Sequence, residues 1–531
     1  MSRAGKITPT DTVDYIAEEI APVYWYWHNS GKEKSKPKLM FDVEAFYQYL
    51  TNKGLRWLNT DGKLLNRILV RVKNNVVSET TASIETSQVF YDVAGLPDEM
   101  ENKEAVAALL TSKIQGGVMK PALLNKLPEL RATFQRDIST AIYVFFSNSI
   151  VKITRDEITA LPYTRLPQPI WASQIKPHKI EIIPPEFTKQ TFSDFNFCKF
   201  LNHVCTERDT GVINMEQLAT IKTSIGYLIH NYVDFRYQKI VVLSDASLEP
   251  VANGGTGKSI ICTAVEQMRK MAWIDGKRFK PDDRFAFQSL GFDTQVVCFD
   301  DITEKFPIEI LNSAVTSSYT FEQKNAHSIT YAPSCNPRTV ITTNFTIRNA
   351  EGDTIQRRIA PVELANYYNA SFTPSMEFGG EIFFKWEDAE DWNKFYNFMF
   401  SCCQEYLQND ARITAYTSDT MEMRSLMFEV GVDFLTFAEG FCGMAIDSGQ
   451  WFTLMKLLDA YLAFDSSSKY PPSKQALNKK LRKYCATMGY KITKAQMMVE
   501  STAFQGGKMK ENRYLIEKPV KVDTELEGAM F

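Results

Sequence analysis

A multidomain α/β chain is what this sequence predicts, organised around a parallel sheet that carries a phosphate-binding loop. Three observations predict it. With 531 residues the chain is too long for one ordinary core, and three or four domains of roughly 100 to 200 residues each are expected. The β-branched run Lys239 to Asp245 is followed by a turn-rich stretch, Glu249 to Thr256, and then by Gly257, Lys258 and Ser259 opening an apolar helical pattern. Two further apolar runs of strand length follow, Gln295 to Phe299 and Arg338 to Thr343, which is the alternation of a parallel α/β sheet.

Composition excludes several classes. Hydrophobic residues make up 44% and charged residues 23%, so the chain is neither disordered nor collagenous. The net charge of −3 supplies no global positive field, and any nucleic-acid contact must come from local patches. Nine cysteines are scattered without a CxxC pair, only Cys402 and Cys403 being adjacent, which indicates neither a zinc module nor a disulfide framework. A reducing, cytoplasmic setting fits this usage. No run of about 18 apolar residues suggests a membrane span.

Punctuation and charge divide the chain into blocks. Residues 1–190 mix helical patterns (Val43 to Lys53, Glu104 to Ile114, Leu123 to Phe134) with short strand-like runs (Ile68 to Val72, Tyr143 to Phe146), as an α+β domain would. Residues 191–236 read as helical, a collar for oligomerisation. Residues 237–370 hold the glycine loop and its parallel sheet, residues 371–468 a helical, aromatic-rich extension, and residues 469–531 a basic, winged-helix-like domain.

The chemistry begins at the loop. Small residues let backbone N–H groups wrap a phosphate, and the start of a helix adds donors and the favourable end of its dipole. Asn253, Gly254, Gly255, Thr256, Gly257, Lys258 and Ser259 would form this cradle for ATP, with Lys258 on the β- and γ-phosphates and the Ser259 hydroxyl on Mg²⁺. The usual pattern has glycine where this chain has Ala252; Gly254 and Gly255 still supply the freedom the turn needs.

The run from Gln295 ends in Asp300 and Asp301. Asp300 is assigned to the magnesium shell and Asp301 to the attacking water, which needs a carboxylate within hydrogen-bond reach. Asn344, after the third strand, is a neutral group suited to the γ-phosphate and the lytic water. Of Arg357 and Arg358, one, with Arg358 favoured, would reach a neighbouring subunit's site as an arginine finger. A capping Asp pair, a turn Asn and a solvated Arg pair are the plainer alternatives.

In this order the motifs resemble those of superfamily 3 helicases. Phe134 to Asp137, Tyr143 to Asn148, Ile170 to Gln174, Gly254 to Ser259, Phe299 to Asp301 and Phe384 to Trp386 are similar to segments of poxvirus-type and Bacteroidetes-phage primase-helicases. The resemblance covers about residues 40 to 430. It implies an AAA+-like core, usually in hexameric rings moving 3′ to 5′ on single-stranded DNA. The residues ahead of it are too few for a primase of ordinary size, so a separate primase or polymerase is an expected partner. Related helicases place a hairpin in the ring's pore. Here it would be Tyr319 to Tyr331, with Lys324 and His327 on the phosphate backbone.

The tail carries a second basic surface. Between Lys469 and Lys521 stand 13 Lys and Arg against 3 Asp and Glu, and the helical stretch Ser473 to Met488 precedes alternating runs around Gly506 and Gly507. Two readings from different classes stay open. One is a DNA helicase of a phage or mobile element; the other is a replication initiator or defence switch in which ATP controls assembly and no strands are separated. An RNA helicase of small RNA viruses is a third, which the long front block disfavours.

Overall fold

The computed structural model of the protein describes residues 24–29, 36–59, 67–98, 100, 102–207, 210–246, 255–304, 306–317, 319–322, 329–345, 357–379, 382, 386, 389–465, 472–500 and 508–518. The chain divides into two compact units, one of residues 1–245 and 253–416, the other of residues 246–252 and 417–531.

The first unit begins with a five-stranded mixed sheet in the order Ile170–Trp171, Val76–Glu79, Arg67–Lys73, Leu55–Asn59, Glu129–Leu130. Helices Val43–Asn52, Ala82–Ala94 and Lys103–Lys113 contribute Phe46, Leu50, Val89, Val106 and Leu110 to a core with Leu55 and Leu69. The helix expected over Leu123 to Phe134 is absent. Only Pro121–Leu124 is helical, and the chain extends into Glu129–Leu130, because Pro128 has no N–H to give a helix and disfavours helical geometry at the residue before it.

A second sheet orders Ile175–Lys176, Ala141–Phe146, Ile150–Thr154 and Ile158–Leu161. Its inward residues Ile142, Val144 and Phe146 share one core with helices α1 (Asn196–His203), α2 (Met215–Ile229) and α4 (Ala389–Gln408). The helical stretch expected over residues 191–236 is therefore two helices. Asn214 starts the second by accepting the Gln217 N–H on its side chain, a cap worth about 1 kcal/mol.

The five-stranded parallel sheet that follows carries the predicted motifs. Its strands are β1 (Ile240–Asp245), β2 (Met271–Asp275), β3 (Val296–Ile302), β6 (Arg338–Thr343) and β7 (Ile359–Leu364), in the spatial order β2-β3-β6-β1-β7. Between β3 and β6 lies an antiparallel pair, β4 (Tyr319–Phe321) and β5 (Ile329–Tyr331). Helix α3 (Lys258–Met268) follows β1. Both faces of the sheet are covered. Val241, Leu243, Cys298 and Val340 pack with Ile261 and Val265 of α3, while Ile240, Val242, Val297, Phe299 and Ile341 face the opposite core. Strands buried on both faces read as unbroken apolar runs, which is how β1, β3 and β6 were located; β2 and β7 were not singled out in the sequence.

The second unit holds α5 (Asp419–Val430), α6 (Val432–Ser448), α7 (Leu454–Phe464) and α8 (Lys474–Thr487), then a hairpin of β8 (Lys491–Glu500) and β9 (Lys508–Glu517). Phe452, between α6 and α7, bridges to Tyr514 of β9. Phe434, Phe437, Phe441, Leu457, Leu477, Leu481, Tyr514 and Ile516 form its core. No helix among the described residues is long and apolar enough to cross a membrane.

Candidate nucleotide site

The loop after β1 closes on two glycines in the left-handed region, Gly255 at φ +92° and Gly257 at φ +103°. Gly257 is required twice over. An L-residue is strained at that φ, and a Cβ there would come within 2.5 Å of Phe200 Cε2 on α1. Lys258 then opens α3, its side chain 10% exposed. Ser259, on the same first turn, is exposed. Asn253 and Gly254 lie outside the described residues, as does Ala252.

The Lys258 ammonium draws three elements together. Its Nζ donates to Asp245 Oδ2 at 2.5 Å, to Asn344 Oδ1 at 2.6 Å and to Thr256 Oγ1 at 3.3 Å. Thr256 Oγ1 in turn donates to Asp245 Oδ1 at 2.5 Å. Lys258 and Asn344, 86 residues apart, thus meet at the carboxyl ends of adjacent strands β1 and β6. That is where ligands settle on open parallel sheets, between adjacent strands whose connections run to opposite sides, here β1 leading to β2 and β6 leading to β7. Asp245 escaped the sequence reading. Its signal was a carboxylate ending an otherwise apolar strand one loop ahead of the lysine.

Asp300 and Asp301 lie on β3, inside a local irregularity of the ladder. The register with β6 runs from Phe299 opposite Ile341 to Ile302 opposite Thr343, so three steps on β3 match two on β6. Asp301 takes φ +54°, an uncommon conformation for a residue with a side chain. Thr342 holds it there: its Oγ1 accepts the Asp301 N–H at 2.7 Å and donates to Asp300 Oδ1 at 2.6 Å. Such a bulge re-aims side chains that a regular strand would send to opposite faces. The Asp301 carboxylate pairs with the Lys277 ammonium, which raises the pKa of that lysine. Gly276, beside it, gives its N–H to Asp300 O at 2.7 Å, and a Cβ there would stand 2.5 Å from Ile302 Cγ2. Thr342 and Lys277 were also missed, since neither belongs to a motif.

The donor set suits a hard cation. Magnesium takes oxygen ligands and is commonly held by one or two carboxylates together with substrate phosphates. The Ser259 hydroxyl and the Asp300 carboxylate are such oxygens.

Arg357 and Arg358 are not part of this cluster. They precede β7, whose Ile359 is level with Ile240 at the start of β1, so they stand at the opposite edge of the sheet from Lys258. At about 3.3 Å per residue, the length of β1 separates the two edges by roughly 16 Å or more. Arg358 Nη1 is 3.4 Å from Gln238 Oε1, while its Nε is buried without a partner among the described residues. Burial, and Arg357 beside it, lower its pKa. Arg357 is exposed, and its carbonyl accepts from Lys239 Nζ at 2.5 Å. Lys324 and His327 lie outside the described residues; the arms flanking them pair with Tyr319 opposite Tyr331.

No family model matches the chain. None of the curated proteins matches it. Among solved structures it is similar to the C-terminal region of NrS-1, at 10% identity and a TM-score of 0.41, covering 88% of this chain and 98% of that one. It is also similar to the JCV helicase, at 13% identity and a TM-score of 0.22, covering 46% of this chain and 73% of that one. A third is a putative ATPase from Cytophaga hutchinsonii, at 12% identity and a TM-score of 0.21, covering 57% of this chain and 84% of that one.

Proposed function

We propose that this chain is an ATP-hydrolysing, ring-forming DNA motor of the superfamily 3 type, with an AAA+-like core, moving on single-stranded DNA during replication of a phage or mobile element. The observation that carries the reading is the convergence of Lys258, Asp245 and Asn344 at the carboxyl edge of β1 and β6, next to the strand that bears Asp300 and Asp301.

Backbone N–H groups at the start of α3, together with Lys258, bind the phosphates of ATP. Ser259 and Asp300 would hold Mg²⁺, which supplies charge neutralisation at the phosphoryl oxygens when bound. Asp301 orients a water and accepts its proton. The water oxygen bonds to the γ-phosphorus as the bridging bond to the β-phosphate breaks, and ADP leaves with that electron pair. Asn344 lies beside Lys258, where its amide can hold the water and the γ-phosphate.

Arg357 and Arg358, at the far edge of the sheet, fit a role in a neighbouring copy's site. That role needs a head-to-tail ring, and a hexamer is the assembly proposed. Lys324 and His327 at the hairpin tip would grip single-stranded DNA. In the second unit, the last three of its four helices, α6, α7 and α8, followed by a hairpin, with the Phe452 to Tyr514 bridge as a short third strand, support a winged-helix-like domain that begins well ahead of the expected residue 469. The exposed Lys474, Lys479 and Arg482 of α8 are its DNA-facing candidates.

The test is a forked-DNA unwinding assay run beside ATP hydrolysis. Wild-type chain should separate strands only with ATP, and Lys258→Ala should do neither. Chains carrying Lys258→Ala mixed with chains carrying Arg358→Ala should recover hydrolysis that each lacks alone. ATP hydrolysis by the wild type without strand separation under any condition would favour the initiator or switch reading. A strict monomer in native mass measurement, with a non-hydrolysable ATP analogue and single-stranded DNA present, would remove both ring and finger.

A further inference from the structure

Three segments of the front block, Phe134 to Asp137, Tyr143 to Asn148 and Ile170 to Gln174, have no part in the phosphate chemistry, yet the fold brings them together. Phe134, Gln135, Phe145 and Trp171, from these segments, line a cleft of about 50 Å³ together with Gln295 and Asn336. Gln295 stands just ahead of β3 and Asn336 two residues ahead of β6, so the cleft lies at the amino edge of the parallel sheet, away from Lys258. The charges along it are matched within the protein. Asp137 pairs with Arg269 at 2.9 Å and Asp293 with Lys270 at 2.6 Å. What remains is carboxamide and aromatic: Gln174 and Asn231 bring the amides on its lining to five, and Phe134 lies on Trp171 with centroids 4.7 Å and planes 6° apart. A neutral, planar, polar molecule suits such a lining better than an ion.

Two of the amides say which groups that molecule must offer. Gln135 Nε2 donates to the Arg136 carbonyl and Asn336 Nδ2 to the Ser317 carbonyl, each at 2.9 Å, which fixes both amide orientations. Their oxygens, Gln135 Oε1 and Asn336 Oδ1, are buried with no donor among the described residues. A buried acceptor left unmet is costly, so the missing partner is an N–H donor. We infer that the cleft binds one unstacked nucleobase with an exocyclic amino group, lying against the half-buried Phe134 and donating to Gln135 and Asn336. Cytosine N4 and adenine N6 are such donors, whereas thymine turns a carbonyl oxygen there. Bases taken out of a stack are held in this way, on an aromatic ring and by hydrogen bonds to their edge. A cleft of this volume has room for roughly three to five waters, about what one base displaces. Arg136, exposed beside Gln135, is the cation for the phosphate that accompanies the base. The site is separate from the one proposed for ATP and does not depend on it.

The experiment irradiates the full chain, without ATP, in the presence of a single-stranded oligodeoxycytidine that carries one 5-iododeoxycytidine, and maps the crosslink by mass spectrometry. Crosslinks should fall within residues 134–137 or 170–174. In fluorescence anisotropy, oligodeoxycytidine should bind about three- to tenfold more tightly than oligothymidine of the same length, the worth of one hydrogen bond. Gln135→Met, which keeps the length of the side chain, should remove that preference and leave the oligothymidine affinity unchanged. The mononucleotide 5-iodo-dCMP separates two sources of the base. Crosslinking by it at the same residues assigns the cleft to a free nucleotide; crosslinking by the oligonucleotide alone assigns it to a base of a strand. Crosslinks that are absent or fall only elsewhere, or a cytosine preference that Gln135→Met leaves intact, overturn the site and leave the cleft to ordered water. A wild type that hydrolyses no ATP removes the motor reading and leaves this inference standing.

Discussion

Lys258 and Asp245 form a buried ion pair at 2.5 Å, their side chains 10% and 5% exposed. The lysine rests against the carboxylate that ends β1, and a phosphate bound there would compete for its protons. Asp245→Asn should therefore destabilise the nucleotide-free protein by about 3 kcal/mol, since one partner of a buried pair is left unmatched. A non-hydrolysable ATP analogue should recover most of that loss. Chemical denaturation with and without the analogue measures it, and equal destabilisation in both would show that the pair has no link to phosphate.

Asp301→Asn separates binding from chemistry. Nucleotide affinity should stay near wild type, while hydrolysis falls by about 10²- to 10⁴-fold, the usual contribution of a positioned proton acceptor. Titration with a fluorescent nucleotide beside steady-state hydrolysis decides the matter. Affinity lost in step with rate would move Asp301 from the water to the phosphates or the metal.

Asp137 should matter for stability alone. It is buried against Arg269 at 2.9 Å and accepts the N–H groups of Tyr143 and Asn231, each at 2.8 Å. This ties the sheet of Ala141–Phe146 to the end of α3. Asp137→Ala leaves a buried guanidinium unpaired and should cost about 3 to 5 kcal/mol in denaturant unfolding. A loss below about 1 kcal/mol would mean that the carbonyl of Ile229, which also accepts from Arg269, is partner enough.

His230 sets an acid limit. Burial pushes its imidazole down to about 4, and its Nε2 faces the Ile138 carbonyl at 2.9 Å, so it folds neutral with the proton on Nε2. Unfolded, it returns to about 6.5. Between those values the unfolded chain binds a proton that the folded chain refuses. The stability it contributes is therefore full above about pH 6.5, falls as pH drops through the window, and levels off near pH 4. His230→Gln, which keeps an N–H donor, should flatten the difference in unfolding free energy between about pH 7 and about pH 5. An unchanged slope would assign the acid sensitivity to other groups.

Much of the central sheet was legible because its strands are buried on both faces and so are continuous apolar runs. Arg338 to Thr343 was located to the residue, and Ile240–Asp245 to within one. Leu123 to Phe134 was not, because its leucines keep a helical spacing across Pro128, where the chain turns extended. The predicted helix Ser473 to Met488 is observed as Lys474–Thr487, with the Ser473 side chain capping its start and Gly489 in the left-handed region just past its end. Of the candidate site residues, Lys258, Ser259, Asp300, Asp301 and Asn344 are those that a local pattern of strand, turn and helix singles out. Asp245, Thr342 and Lys277 could not be found this way, because their partners are 13, 42 and 24 residues away and no spacing rule links them.

By itself the sequence determined the order of strand, glycine loop and helix, and the residue types that phosphate chemistry requires, since these depend on neighbours along the chain. Only the tertiary structure decided what Lys258 rests on, that a bulge turns Asp301, and that Arg357 and Arg358 stand at the other edge from the phosphate loop. Those depend on strand order and register, which bring distant segments level with one another and which local propensity does not encode.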